Sequence, residues 1–532
     1  MPEPKFRVLL SDSLSEKGIE VLKRHPELQI DIKTGLKPEE LALIIAPYDA
    51  LMIRSSTTVT REIIEHADSL KVIGRAGVGV DNVDLEAATR RGIVVMNSPH
   101  GNSVTTAEHA ISMMMSMARK IPAANAALKG GKWERGKFTG AEIFGKVLGV
   151  VGLGNIGRIV ADRAQGLKMK VIGFDPIMTR EAADRIGIEL VGLEEIFRRA
   201  DFITVHTPLT DDTRGLVGAA AFEKMKKGVR IINCARGGIV DEMALADAIK
   251  SGKVAGAALD VFVEEPPPLD HPLLKLDAVV VTPHLGAATE EAQVQVAVDI
   301  AQQVADFLLE GTVSQAVNIP AVSPKELEVL GPHLTLGEKL GRLVAQLISE
   351  TPTEVSIGLG GEAANLKAEP ITAAVVKGLL GGFLDEALNY VNAPFIARER
   401  GVAIKETRSR ETTDFVNTLS VTVKTGKGEH QVAGAVLGNR AMRLIRIDGF
   451  SVESVPDGYF LMLRNRDVPG VVGTVGTLLG QAQVNIAGLD LGRDRAGGSA
   501  LSLFAVDGPV PAAVLEKLKT MPAIISASLL KL

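Results

Sequence analysis

Three polar residues stand just past apolar, strand-like runs in the middle of the chain: Arg236 after RIINCA, Glu265 after AALDVFVE and His284 after AVVVTP. If those runs are neighbours in an open parallel sheet, their carboxyl ends face one crevice and the three side chains can converge. Their chemistry is complementary. Removing a hydride from a carbinol carbon requires a base for the hydroxyl proton, and histidine, with an ordinary pKa of about 6.5, suits that task. A carboxylate bonded to the other ring nitrogen sets the tautomer and stabilises the imidazolium, the role that fits Glu265. Arg236 can grip a carboxylate with two parallel hydrogen bonds and polarise the neighbouring oxygen. Each residue also has a plainer reading: a structural histidine, a solvated loop glutamate, an arginine capping a glycine turn. All three at strand ends make coincidence the weaker explanation.

A cofactor for that hydride is written upstream. The run VLGVV leads into Gly152-Leu153-Gly154-Asn155-Ile156-Gly157 and then a helix-like segment. In such a turn the first glycine makes the bend, the second admits a pyrophosphate and the third lets helix and strand pack closely, with phosphate on the helix N-terminus. Asp175 ends the next strand, 18 residues after Gly157. Its carboxylate suits ribose hydroxyls and repels a 2′-phosphate, which favours NAD over NADP. The alternative is a tight turn with a solvated aspartate. Arg54 and Arg75 end strand-like runs of the first hundred residues and extend the cationic side of the same crevice. The loop Lys132-Trp133-Glu134-Arg135-Gly136-Lys137 is either a solvated charged loop or a source of anion contacts, and Trp133 is equally suited to anchor a dimer interface.

The elements that must position these groups follow from periodicity. Between Phe6 and Asn97, the runs FRVLLSD, ALMIRSS, LKVIGRAG and IVVMNSP alternate with polar helix-like segments, the pattern of parallel strands covered on both faces. From Val147 a longer alternation supplies six strand candidates, enough for a dinucleotide-binding sheet. Segments Asn102–Lys120 and Thr289–Leu309 are helix-like and could carry the chain between two domains, the latter with Val294, Val298, Ala301, Val304 and Leu308 at helical spacing. SQAVNIPAVSPKEL is linker-like, and HLTLGEKLGRLVAQLISE reads as an amphipathic helix. Alternating runs follow, and the last segment, from Gly458, has the order βαββαβ of a ferredoxin-like module. The expected fold class is α/β: a doubly wound parallel nucleotide domain (99–287) inserted in a flavodoxin-like substrate domain (1–98 and 288–317). An α+β intervening domain (318–455) and a ferredoxin-like C-terminal domain (456–532) complete four units in the 532 residues.

Composition narrows the class of protein. With 46% hydrophobic and 23% charged residues, large cores can form and wholesale disorder is excluded. A net charge of −5 without a Lys/Arg run gives no footprint for nucleic acid. The single cysteine, Cys234, rules out an internal disulfide and a Cys-based zinc site; no metal is expected. No apolar stretch reaches the roughly 18 residues of a membrane span, and the N-terminus lacks a signal-like apolar segment, so a cytoplasmic protein is expected.

Taken together, GLGNIGR with FDP, HTPLT, NCARGGIVDE, ALDVFVEEP and TPHLGAAT resemble the D-isomer-specific 2-hydroxyacid dehydrogenases over about the first 315 residues. The resemblance implies a catalytic set of Arg236, Glu265 and His284. It also implies cofactor contacts at Val78, Gly152, Gly154, Asn155, Ile156, Gly157, Asp175, Thr207, Cys234, Arg236, Asp260, His284 and Gly286. SSTTVTREII, GRAGVGVDNVD, HGNSVTTAEH and KWERGKF, with the long C-terminal extension, resemble the phosphoglycerate dehydrogenase branch in its long form. That branch implies 3-phosphoglycerate as substrate, with Arg54, Arg75, Asn102, Trp133, Arg135 and Lys137 in contact with it, the last three reaching a neighbouring subunit of a homo-oligomer, a dimer or tetramer. Its C-terminal ACT module implies L-serine as effector, bound near Asn465, Asp467 and Asn485. Lactate, glycerate and hydroxypyruvate dehydrogenases resemble the first part equally but end near Leu309, and NAD-sensing corepressors of the same fold lack an ACT-like tail.

Overall fold

The computed structural model describes residues 4–532 apart from 100, 385–386, 411–413 and 439; His100, which opens HGNSVTTAEH, therefore lies outside the described residues. The first sheet has five parallel strands in the spatial order Leu28–Ile32, Phe6–Leu10, Ala50–Ile53, Val72–Arg75, Val94–Asn97. This is the flavodoxin-like order, and it includes one strand, LQIDI, that the periodicity missed. Its side chains are only partly buried at the sheet edge, so the apolar run that marks a central strand is absent.

The second sheet has seven parallel strands rather than six. Val147–Val151 lies inside the sheet, with Lys170–Phe174 and the two-residue edge strand Glu189–Leu190 on one side. Phe202–Val205, Val229–Asn233, Val254–Leu259 and Val279–Val281 run out on the other. Strand order reverses between Val147–Val151 and Phe202–Val205, and that reversal opens the crevice at the carboxyl ends of both.

Two helices join the domains. Ser103–Ala118 packs Ala107, Ala110, Met113, Met114 and Met117 on the nucleotide sheet. Glu290–Glu310 returns to the first sheet through Val296, Ile300, Ala301, Val304 and Leu308. The buried stripe is thus turned from the expected one: Val294 and Val298 are only half-buried, and Val296 and Ile300 take their place. The first domain is accordingly built from two separated stretches of chain.

The intervening unit is a six-stranded mixed sheet under the helices Pro324–Leu347 and Ala368–Leu380. The first helix begins well before the amphipathic segment read from sequence, because Ser323 and Glu326 form a capping box ahead of Pro332. The last unit is a four-stranded antiparallel sheet in the order Ile486–Arg493, Ser499–Val506, Tyr459–Arg466, Ile524–Lys531, as βαββαβ requires. One face of it, through Leu461, Leu463 and Phe504, covers its own two helices. The other face, through Phe460, Met462, Leu501, Leu503 and Leu530, belongs to the core of the intervening unit. The two C-terminal units therefore share one core. They dock on the first domain through Val391, buried in its core, and Asn389, whose Nδ2 donates to the Gly92 carbonyl at 2.8 Å.

Candidate active site

His284 Nδ1 and Glu265 Oε2 lie 2.7 Å apart, both groups half-exposed at the crevice. That bond raises the pKa of His284, outweighing its partial burial. On Glu265 burial acts upward, but the bonds from His284 and from the Phe262 N–H hold the carboxyl below its usual range. The backbone of His284 is left-handed, with φ of 54°, a conformation that costs a non-glycine residue free energy. Asp260 holds it there. Its carbonyl accepts the His284 N–H at 2.9 Å, and its carboxylate accepts the N–H groups of Leu285 at 2.7 Å and Gly286 at 2.8 Å. Thr282 and His109 occupy the rest of that carboxylate. Asp260, expected as a cofactor contact, is thus buried and brackets the His284 loop.

Arg236 crosses the cleft. Its Nε donates to Asp81 Oδ2 of the first domain at 3.0 Å, and Nη1 donates to the Ala235 carbonyl at 2.7 Å. The guanidinium lies over Gly79, where an added Cβ would overlap Nη2, and the guanidinium of Arg75 lies over Gly77 in the same way. Val78, between those glycines, is fixed by Asn97 Nδ2 donating to its carbonyl at 2.5 Å. Burial is the main cause that brings the Arg75 pKa down to about 10, and the like charges of Arg236 and Arg54 add to it. The charges of Arg54 and Arg236 thus both bear on Arg75, and that of Arg236 also bears on His284. Asp81 was not legible as a site residue; its one sequence signal was its place in GRAGVGVDNVD.

The glycine turn fits NAD. Gly152 has φ of 92°, and a Cβ there would meet the His206 carbonyl at 2.6 Å. A Cβ on Gly157 would overlap the Gly152 carbonyl, whereas Gly154 faces open space at the start of the helix Asn155–Gly166. Ile156 is half-buried behind it. Asp175 closes the turn: burial acts upward on its carboxyl, but the N–H groups of Leu153 at 2.9 Å, Ile177 at 2.9 Å and Met178 at 3.0 Å keep it ionised. Around the crevice, His206 Nδ1, Thr207 Oγ1 and Asn102 Oδ1 are buried without a partner among the described residues, as groups awaiting a polar ligand would be. Cys234 is different. Its thiol is buried in the helix–sheet core and pushed far above its ordinary pKa, so only its backbone can face a cofactor.

Not every expected residue converges. Trp133 is exposed, and Arg135 and Lys137 lie on a short exposed helical turn where Lys137 Nζ pairs with Glu134 at 2.7 Å. None of their recorded contacts is with the triad. Asn465 is buried, its Nδ2 donating to the Arg466 carbonyl and its Oδ1 accepting from Ser502, so it is not presented to an effector. Asp467 pairs with Arg493 at 3.2 Å, at one end of the strand Ile486–Arg493, while Asn485 precedes the other end and donates to Asp507. Eight residues at about 3.3 Å each separate those ends by roughly 26 Å. Within a single chain one effector cannot touch both, so a site that uses Asp467 and Asn485 together needs two modules.

Comparison with known proteins agrees with this architecture. Residues 111–286 match the D-isomer specific 2-hydroxyacid dehydrogenase NAD binding domain, 329–448 the D-3-phosphoglycerate dehydrogenase intervening domain and 459–523 the ACT domain. The chain is 46% identical over 527 residues to the D-3-phosphoglycerate dehydrogenase of Synechocystis, covering 99% of this chain and 95% of that one. It is 44% identical to that of Archaeoglobus fulgidus, over 99% of this chain and 100% of the relative. A solved glyoxylate reductase from Paecilomyes thermophila, 30% identical, superposes with a TM-score of 0.55 over 60% of this chain and 99% of its own. The chain belongs to the D-3-phosphoglycerate dehydrogenase family.

Proposed function

We infer that the chain oxidises 3-phospho-D-glycerate to 3-phosphohydroxypyruvate with NAD, the first step of L-serine biosynthesis. The observation that supports the choice of substrate is that Arg75 feels the charges of both Arg54 and Arg236, the latter also bearing on His284. A lactate-like acid needs one cation for its carboxylate; a phosphorylated acid needs more. In this reading Arg236 grips the substrate carboxylate in place of Asp81, and Arg54 and Arg75 face the phosphate. His284 Nε2 takes the carbinol proton while Nδ1 stays on Glu265, which stabilises the imidazolium. The Gly152–Gly157 turn would hold NAD, which would supply the acceptor for the hydride on the carbon that bears this hydroxyl. Val78, Thr207 and Asn102 line the meeting point of the two ligands. The direct test is NADH formation with 3-phosphoglycerate, D-glycerate and D-lactate; comparable kcat/KM for all three would overturn the assignment.

A homo-oligomer belongs to the same reading. The helix Ile121–Lys129 buries none of its residues in its own chain, and Ile121, Leu128, Trp133 and Phe144 are exposed apolar groups around it. Such a surface fits a second copy and would carry Arg135 and Lys137 to a neighbouring crevice. L-Serine is the proposed effector of the ACT module, bound between two copies so that Asp467 of one and Asn485 of the other can meet.

A further inference from the structure

The peptide of Arg54 is held at both ends. Its N–H donates to Asp12 Oδ2 at 2.5 Å, and its carbonyl accepts from Asn82 Nδ2 at 2.7 Å. The same two side chains hold Thr57. Its N–H donates to Asp12 Oδ2 at 3.1 Å, its hydroxyl to Asp12 Oδ1 at 3.0 Å, and its carbonyl accepts from Asn82 Nδ2 at 2.6 Å. Asp12 comes from the loop after the first strand and Asn82 from the loop that carries Gly77, Val78 and Gly79. Residues 54–57 are therefore gripped from opposite sides, with Ser55 and Ser56 exposed between the grips.

We propose that Asp12 and Asn82 are positioning residues for the substrate phosphate: together they fix the peptide from which the Arg54 guanidinium reaches into the crevice. The proposal rests on the assignment of Arg54 to the phosphate. Asp12 is buried, and a buried carboxylate is unfavourable unless its lone pairs are filled. Among the described residues its three donors all come from Arg54 and Thr57, so what offsets its burial is the shape of this one loop. Both bonds recorded for the Asn82 amide go to carbonyls of the same two residues. A loop needing only to be stable could be packed with apolar side chains; a fully spent polar clamp fixes geometry. Geometry matters here because an arginine side chain is long and rotamer-rich, and its reach is defined only if its backbone origin is.

The test is a set of double-mutant cycles read as a ratio: kcat/KM for reduction of 3-phosphohydroxypyruvate divided by that for hydroxypyruvate. A smaller folded fraction scales both values and leaves the ratio unmoved. Arg54→Ala should lower the ratio. Asp12→Ala and Asn82→Ala should each lower it about tenfold, mainly through KM for the phosphorylated acid, as a misplaced binding group does. Asp12→Asn should restore most of the loss, because the isosteric amide can present its oxygen to the two N–H groups and its NH2 to the Thr57 hydroxyl. In an Arg54→Ala background neither Asp12→Ala nor Asn82→Ala should lower the ratio further. Equal losses for both substrates, or an undiminished effect without Arg54, would overturn the inference. If Asp12→Ala does not fold, the Asn82→Ala cycle decides it. A lowered ratio in Arg54→Ala beside an unchanged one in the two clamp variants would overturn this inference alone. An unchanged ratio in Arg54→Ala would overturn the phosphate role of Arg54 and the clamp's purpose with it.

Discussion

His284 combines a left-handed backbone with a carboxylate on Nδ1, and each feature comes from a different neighbour. Asp260 supplies the backbone and Glu265 the tautomer. Replacing His284 with Ala should lower turnover by about two to four orders of magnitude, the usual worth of a positioned acid–base group, while NAD binding stays nearly intact. Steady-state kinetics beside a fluorescence titration with NADH checks this, and turnover within a few-fold of the parent would remove His284 from the mechanism. The Glu265 bond raises the His284 pKa, so the basic form needed for oxidation appears only as pH climbs through a value above the ordinary 6.5. In Glu265→Ala the rising limb of kcat/KM should move to lower pH and its plateau should drop. A limb that stays in place would reduce Glu265 to a structural role. The same shift sets a stability term: the raised His284 pKa contributes stability fully below about 6.5 and loses it as pH rises through the folded value.

Loops at the carboxyl ends of strands do the positioning, and two of them make sharp predictions. The loop from Gly77 to Gly79 works because guanidinium groups rest where side chains would otherwise stand. Gly79→Ala should displace Arg236 and raise KM for 3-phosphoglycerate by about tenfold or more, with KM for NAD little changed. Unchanged kinetics would show that the guanidinium has another seat. In the glycine turn, Asp175 is both the group that meets the ribose and the acceptor of three backbone N–H groups. Asp175→Ala should therefore narrow the preference for NAD over NADP by removing repulsion of the 2′-phosphate, and should also weaken NAD binding by loosening the turn. An enzyme that already uses both cofactors equally would refute that reading of the carboxylate.

At the scale of the molecule, the shared core of the two C-terminal units and their anchorage at Val391 connect the ACT module to the first domain by continuous packing. An effector shifts that assembly only if it binds one arrangement better than another. A coupling of about 1–3 kcal/mol, ordinary for allosteric sites, would change apparent affinity roughly 5–150-fold. L-Serine should inhibit the intact oligomer, and Asn485→Ala should abolish inhibition without lowering turnover in its absence. Calorimetry showing no serine binding to the intact oligomer would leave the module as an assembly device. Because Asp467 and Asn485 lie at opposite ends of one strand, dilution to single chains should abolish serine binding as well.

Much of this was legible from the sequence alone: the two parallel-sheet units, the βαββαβ tail, the glycine turn with Asp175, and the triad. Each is encoded locally, by apolar runs, glycine placement or residues at fixed distances after a strand. What the sequence could not carry was anything set by approach in space. The edge strands Leu28–Ile32 and Glu189–Leu190 are too polar or too short to show a period. The helix Glu290–Glu310 buries a stripe shifted from the expected one, because the sheet beneath it selects the face. Asp467 and Asn485, read from sequence as parts of one effector site, lie at opposite ends of the strand Ile486–Arg493 within a single chain. Asp81 reaches Arg236 from 155 positions away, Asp260 brackets the His284 loop from behind, and Asp12 meets Arg54 from 42 positions away. Long-range hydrogen bonds leave no periodic trace in the chain, so only tertiary structure decides which carboxylates face a ligand and which hold the residues that do.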